Sequence, residues 1–129
     1  MSNNCFVCGK DNEDGMQLTF KSENKNTYSY YKFPEKFQGW DNVIHGGILS
    51  TLLDEVMAKS CIHEGFEAVT RKINIEYLKP VKVGQKLKIV GKIKNIRKKL
   101  IEAEAKIIDE NDGTIYATGE SLFWIIKEI

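Results

Sequence analysis

The chain has 129 residues, 42% of them hydrophobic and 29% charged, with a formal net charge of +1. That length suits one domain and can bury a core without disulfides or a metal, and the balance excludes wholesale disorder. No apolar run approaches the ~18 residues of a membrane-spanning helix. Met1–Cys5 has neither the basic region nor the apolar stretch of a secretory signal, so the expected compartment is the cytoplasm, with the three cysteines as free thiols.

Residues 1–15 are rich in Asn, Asp and Gly and read as an N-terminal loop segment. Met16, Leu18 and Phe20 then alternate with Gln17, Thr19 and Lys21, the period of a half-buried strand. Asn24-Lys25-Asn26 is a hairpin turn into a second strand, Thr27 to Phe33, which Pro34 ends. From Gly46 to about His63 the pattern is helical. Strands return over roughly Thr70–Lys79, Gln85–Ile96, Leu100–Asp109 and Thr114–Ile126. In the second of these Leu87, Ile89 and Ile93 point one way and Lys86, Lys88, Lys92 and Lys94 the other. Arg97-Lys98-Lys99 and Asp109–Gly113 are the connecting turns, the latter with the Asp-Gly pair common in hairpins. The expected architecture is α+β: two strands, one long helix, then four strands in meander order. Together they form one curved antiparallel sheet of about six strands with the helix lengthwise in its concave side.

Charge is segregated along the chain. Arg71–Lys106 holds 12 basic and 3 acidic residues, against 7 and 15 elsewhere. Such a stretch suits an anion, whether a phosphate-bearing small molecule or nucleic acid, or it is a solvated lysine face that keeps a sheet edge soluble. The solvated face is the better reading for most of these lysines. No nucleic-acid-binding motif accompanies them.

On a helical projection Ile48, Leu49, Leu52, Leu53, Val56 and Met57 fill one broad arc. The opposite arc holds Gly47, Ser50, Thr51, Asp54, Ala58 and Cys61, with Glu55 at the border. Asp54 is the one charge among small residues. A solvated face normally carries several charges, so this face is expected to be covered by a partner subunit or a substrate. At the helix entrance, Val43-Ile44-His45-Gly46-Gly47 offers N–H groups without intrahelical partners, backed by the helix dipole and suited to a developing negative charge. Gly47 and Asp54 are seven residues apart, about 10 Å along the axis. One helix therefore cannot bring both to the same carbonyl, whereas two antiparallel helices related by a two-fold axis can, and closed two-fold dimers are the commonest oligomers. Cys5-x-x-Cys8 is half of a zinc knuckle. Cys61 and His63 are available to complete it, but no second such pair exists, so no metal site is expected.

The segment Phe37-Gln38-Gly39-Trp40-Asp41-Asn42-Val43-Ile44-His45-Gly46-Gly47-Ile48-Leu49-Ser50-Thr51-Leu52-Leu53-Asp54-Glu55 resembles the signature of hotdog-fold acyl-CoA thioesterases of the phenylacetate-pathway (PaaI-like) type. Cys5-Phe6-Val7-Cys8-Gly9, Asn12, Gly15-Met16-Gln17-Leu18 and Gln38-Gly39 are similar to the branch of thioesterase-superfamily members 4 and 5. Thr70 to Val81, ending in Tyr77-Leu78-Lys79-Pro80-Val81, resembles the family's strand after the helix. The resemblance implies a hotdog domain that dimerises and pairs further into a tetramer, and that hydrolyses an acyl-CoA thioester to free acid and coenzyme A without a metal or redox cofactor. It implies Asp54 as the catalytic carboxylate, general base or nucleophile, and Gly46 and Gly47 as the N–H donors to the thioester carbonyl. His45 then shapes the site, and Thr70 orients the water or the carboxylate. Some relatives have Asn six residues before the motif histidine. Here that position is Gly39, with Gln38 adjacent to take over its contacts. Ser50 and Glu55 join Gln38 and Gly39 as expected substrate-binding residues, with Arg71 and Lys72 as contacts for the coenzyme A phosphates. Two other functions fit the same scaffold: an acyl-thioester hydratase or dehydratase, and a non-catalytic acyl-CoA-binding protein.

Overall fold

A computed structural model describes residues 1–129. Asn24 and Lys25 both take positive φ (52° and 66°), so they form a two-residue turn whose twist suits a hairpin. It joins β1 (Lys21–Glu23) to β2 (Asn26–Lys32). A single 3-10 turn at Glu35–Phe37 follows Pro34. Two short strands, β3 (Gln38–Trp40) and β4 (Val43–Ile44), then form a small separate hairpin that the sequence pattern did not reveal. Helix α1 runs Gly46–His63, as the periodicity predicts. β5 (Phe66–Tyr77), β6 (Lys86–Arg97), β7 (Leu100–Asp109) and β8 (Ile115–Glu128) complete an antiparallel six-stranded sheet.

Two expectations change. Met16–Phe20 is not a sheet strand. Met16 and Leu18 are buried as their alternation suggests, but their N–H groups donate to Phe6 O (2.9 Å) and Val7 O (2.8 Å). At Gln17 φ is 54°, which breaks the extended run. The N-terminal segment therefore pairs with itself. The four later strands are also not in simple meander order, because the sheet runs β1-β2-β6-β7-β8-β5. β5 pairs with β8 at the far edge, and β6 pairs with β2. The link after β5 crosses past the start of α1. Val81 O accepts from Ile44 N–H (2.9 Å), and Gly84 N–H, at φ +81°, donates to Phe33 O (3.0 Å).

The helix lies in a trough of small residues. A Cβ on Gly91 would come within 3.1 Å of Val56 Cγ1, and one on Gly119 within 3.0 Å of Ile75 Cδ1 and 3.4 Å of Met57 Cε. Ala103, Ala105 and Ala117 line the same buried surface. Leu52, Leu53, Val56 and Met57 are fully buried against Leu87, Ile89, Ile101, Ile107 and Phe123. Cys61, placed by periodicity on the opposite arc, is fully buried too, so the C-terminal half of α1 is enclosed on more than one side. No helix is long and apolar enough to cross a membrane.

Between β7 and β8, Asp109 Oδ1 accepts from the N–H groups of Asn111 (2.8 Å) and Asp112 (3.0 Å), and Oδ2 from Gln85 Nε2 (3.3 Å). The Asp112 N–H, then that of Asn111 and the Gln85 amide, hold the Asp109 carboxyl below the usual carboxylate range. Two outcomes are expected. Leu53→Ala, which empties a fully buried site, lowers unfolding free energy in denaturant titration by about 2–5 kcal/mol. Asp109→Ala destabilises the protein near neutral pH. Because the native pKa lies below the unfolded one, the deficit relative to the native chain is complete above about pH 4 and fades as pH falls through the native value.

Candidate active site

The entrance of α1 is built around His45. Its backbone N–H donates to Phe37 O (2.9 Å), which ties the helix start to the 3-10 turn. Its ring Nδ1 accepts the Gly47 N–H (2.9 Å), so the imidazole itself caps the helix. An accepting Nδ1 is an unprotonated one, with the ring proton on Nε2. The Gly46 carbonyl accepts the Tyr77 hydroxyl (2.8 Å). The Gly46 N–H is left with no partner in the chain. Of the two glycine donors expected at this end, one is thus spent on the cap and one remains open.

The glycines are set by crowding. A Cβ on Gly39 would lie 3.3 Å from His45 Cα and Cδ2, one on Gly46 3.3 Å from Tyr77 Cζ, and one on Gly47 3.2 Å from His45 Nδ1. Around them opens a cleft of ≈ 600 Å³, lined by Gly39, Trp40, His45, Gly46, Tyr77 and the Leu78–Val81 link, among others. Trp40 is 83% exposed at its rim. Gln38 spends its side-chain oxygen on the Asn42 N–H (2.9 Å), where φ is 61°, and so shapes the β3–β4 turn.

Two turns along α1, Asp54 is half-buried. Its Oδ1 accepts the Thr70 hydroxyl at 2.7 Å, a short charge-assisted bond. Thr70 reaches the helix because β5 bulges between Thr70 and Lys72. The extra residue, Arg71, lets both Thr70 and Ile73 face inward across the bulge. Asp54 does not line the cleft at the helix entrance.

The remaining expected residues are scattered. The Ser50 hydroxyl donates to Gly47 O (2.9 Å), as does that of Thr51. Arg71 stacks its guanidinium 4.9 Å over the Trp124 ring. Lys72 lies in a shallow depression with Glu102 and Glu120 on the outer face of the sheet. Glu55 is turned away from Asp54 and buried under the N-terminal segment, with its carboxylate 3.7–3.8 Å from Cys5 Sγ. Cys61 and His63 do not join Cys5 and Cys8. Burial pushes the Cys61 thiol up to about 12, and His63 Nδ1 bonds Thr27 Oγ1 at 3.0 Å. Burial, then the Glu55 carboxylate, pushes the Cys8 thiol up to about 12. Tyr77 was not singled out from sequence. Its only signal was its place in the Tyr77–Val81 stretch.

A family model described as Thioesterase superfamily matches residues 41–116. Acyl-coenzyme A thioesterase 13 of Mus musculus is 32% identical over 78 residues, covering 59% of this chain and 56% of that protein. Acyl-coenzyme A thioesterase THEM4 of Mus musculus is 28% identical over 108 residues, covering 82% of this chain and 46% of that protein. The chain thus spans about half the length of the curated relatives it matches. Among solved structures, smu.793 from Streptococcus mutans UA159 bound to acetyl CoA superposes with a TM-score of 0.80 at 22% identity, over 86% of this chain and 90% of that one. That likeness carries the fold: one long helix wrapped by a curved antiparallel sheet, the hotdog arrangement. With a matching family model over more than half of its length, the chain belongs to the thioesterase superfamily.

Proposed function

We propose that this chain hydrolyses acyl-CoA thioesters at a site completed by a second copy of itself. One observation carries the reading. A single helix bears an unpartnered N–H at its start, at Gly46 inside a cleft, and a carboxylate held by Thr70 two turns later, about 12 Å away. The two halves cannot serve one carbonyl within a chain. In a two-fold pair with antiparallel helices, the cleft of one protomer faces Asp54 of the partner subunit. The free edge of β5, where Val69 and Tyr77 are each 51% exposed, supports such pairing. The names of the relatives, acyl-coenzyme A thioesterases, and the acetyl CoA bound to the Streptococcus mutans protein support the substrate class.

In this mechanism the Gly46 N–H, at the positive end of α1, binds the thioester oxygen as it gains charge. The Tyr77 hydroxyl holds the next peptide, Gly46–Gly47, by its carbonyl and so anchors Gly46 from the other side. Asp54 takes a proton from water, which attacks the carbonyl carbon, or attacks that carbon itself to form an acyl anhydride that water hydrolyses after coenzyme A has left. The carbon–sulfur bond then breaks and the thiolate of coenzyme A leaves with a proton. Thr70 fixes the carboxylate rotamer. Trp40, Lys79 and the Leu78–Val81 link offer apolar and cationic surface to the substrate, with Gln38 and Gly39 shaping the rim. Arg71 and Lys72 remain exposed cations for the phosphates. Nothing in this chemistry requires a metal or redox cofactor. Free Cys5, Cys8 and Cys61 support a reducing, cytoplasmic setting, and pairing of dimers into a tetramer extends the same assembly.

The test follows thioester absorbance across a panel of acyl-CoA chain lengths. Asp54→Asn is expected to lower kcat about 10²–10⁴-fold, and Thr70→Ala about 10–100-fold, the worth of a hydrogen bond to a charged group. Turnover unchanged in Asp54→Asn overturns the mechanism. Binding without turnover, or hydration of an enoyl thioester, replaces it with one of the other two functions.

A second test addresses the shared site. Gly46→Pro deletes the N–H at a first helical position whose backbone suits proline, after a residue at φ −59°, ψ 131°, and moves the Tyr77 ring by a few tenths of an ångström. Its kcat is expected to fall about 10²–10³-fold. Refolding it together with Asp54→Asn should restore about a quarter of native activity, since half the dimers are mixed and each has one intact site. No recovery means that the site lies within one chain.

A further inference from the structure

The N-terminal Cys-x-x-Cys takes no part in the proposed reaction, yet its geometry is specific. The turn Cys5–Gly9 is closed by the Gly9 N–H donating to Cys5 O (2.9 Å). A Cβ on Gly9 would fall 2.3 Å from Cys5 N and 2.4 Å from Asn3 O, so only glycine fits this wind. The turn carries both thiols to the middle of α1. There Cys5 Sγ, Cys8 Sγ and a Glu55 carboxylate oxygen lie within 4.8 Å of one another. Both cysteines are free thiols.

Glu55 is the independent observation. It is only 8% exposed, yet none of the four ion pairs in the chain involves it. Its hydrogen bonds come from the Cys5 thiol, at 3.7 and 3.8 Å and among the weakest of donors, with the Cys8 thiol beside it. A carboxylate that buried is costly unless it is paired or holds a metal. Zinc binds thiolate at about 2.3 Å and carboxylate oxygen at about 2.0–2.2 Å, which in a tetrahedron sets sulfur and oxygen about 3.5 Å apart. The Cys5–Glu55 separation is already close to that edge. Two thiolates select zinc over the hard cations, which take oxygen ligands.

We infer that Cys5, Cys8 and Glu55 form a zinc site that clamps the N-terminal segment onto α1, with water in the fourth position. Cys61 and His63, the other ligands the sequence offers, take no part. The site is structural: it joins residues about 50 apart in sequence, beside Asp54 but on another face of the helix.

The test uses the full chain, reduced and stripped of metal, titrated with zinc against a chromophoric chelator and with cobalt(II) by absorbance. One ion per chain is expected, with proton release, a thiolate-to-cobalt charge-transfer band and the strong visible bands of a tetrahedral ion. Zinc should raise the melting temperature. Cys5→Ser, Cys8→Ser and the isosteric Glu55→Gln should each weaken binding about 100-fold or more, beyond the 10–100-fold typical of losing an outer-shell partner. Cys61→Ala should leave binding unchanged. If the serine variants fail to fold, Glu55→Gln and the cobalt spectrum of the native chain decide alone. Three outcomes overturn the site: zinc held no tighter by the folded than by the urea-unfolded chain, no charge-transfer band, or a Cys5–Cys8 disulfide forming in glutathione buffer while zinc is present.

Discussion

One helix has to cover the concave face of six strands, and most of the molecule follows from that. A single rod can seal such a surface only if it sinks into it. Gly91, Gly119 and three alanines make the trough, while Leu52, Leu53, Val56 and Met57 fill it. A helix locked on that arc has its other directions fixed. Asp54 must point sideways toward β5, Glu55 must point toward the N-terminal segment that buries it, and the first turn must emerge where the link from β5 to β6 crosses. The functional groups are placed by core packing rather than by flexible loops, which gives the precision that catalytic constellations need.

Around this rod, small local devices tune each end. At the start of α1, the His45 ring does what Ser or Asp does at most helix starts. By taking the Gly47 N–H it orders the first turn, and the N–H of Gly46, a residue that lines the cleft, stays unpartnered. Beside Asp54, a single extra residue in β5 does comparable work. A strand of strict period two that faces Thr70 inward would face Ile73 outward, losing either the hydrogen bond to Asp54 or an apolar contact with the core. The bulge at Arg71 keeps both.

What the sequence made legible was what neighbours along the chain decide. The bounds of α1, the turns at Asn24-Lys25 and Asp109–Gly113, and the β6 alternation all depend on contacts a few residues away. The strand order was not legible, because antiparallel neighbours look alike in sequence and only the crossing link past α1 sends β5 to the far edge. Met16 and Leu18 were correctly read as buried, but alternation cannot say which backbone they pair with. At the candidate site, His45, Gly46, Gly47 and Asp54 were visible through one short motif. Tyr77 and Glu55 were not legible in their observed roles, since each meets its partner across 31 or 50 residues.

The contrast between Asp54 and Glu55 shows how the fold chooses among similar groups. They are adjacent in sequence, on the same rigid helix, and differ by one methylene. About 100° of helical rotation separates them. Residues Cys5 to Leu18, pinned to one another through Phe6, Val7, Met16 and Leu18, cover the side of α1 toward which Glu55 points. Asp54 lies outside that cover and stays half-exposed, held by one hydroxyl. The N-terminal segment therefore does more than fill space. It removes one of two carboxylates from water and leaves the other half-exposed beside Thr70. A chain without that segment would present two adjacent acids on α1, and nothing in the helix itself would distinguish them.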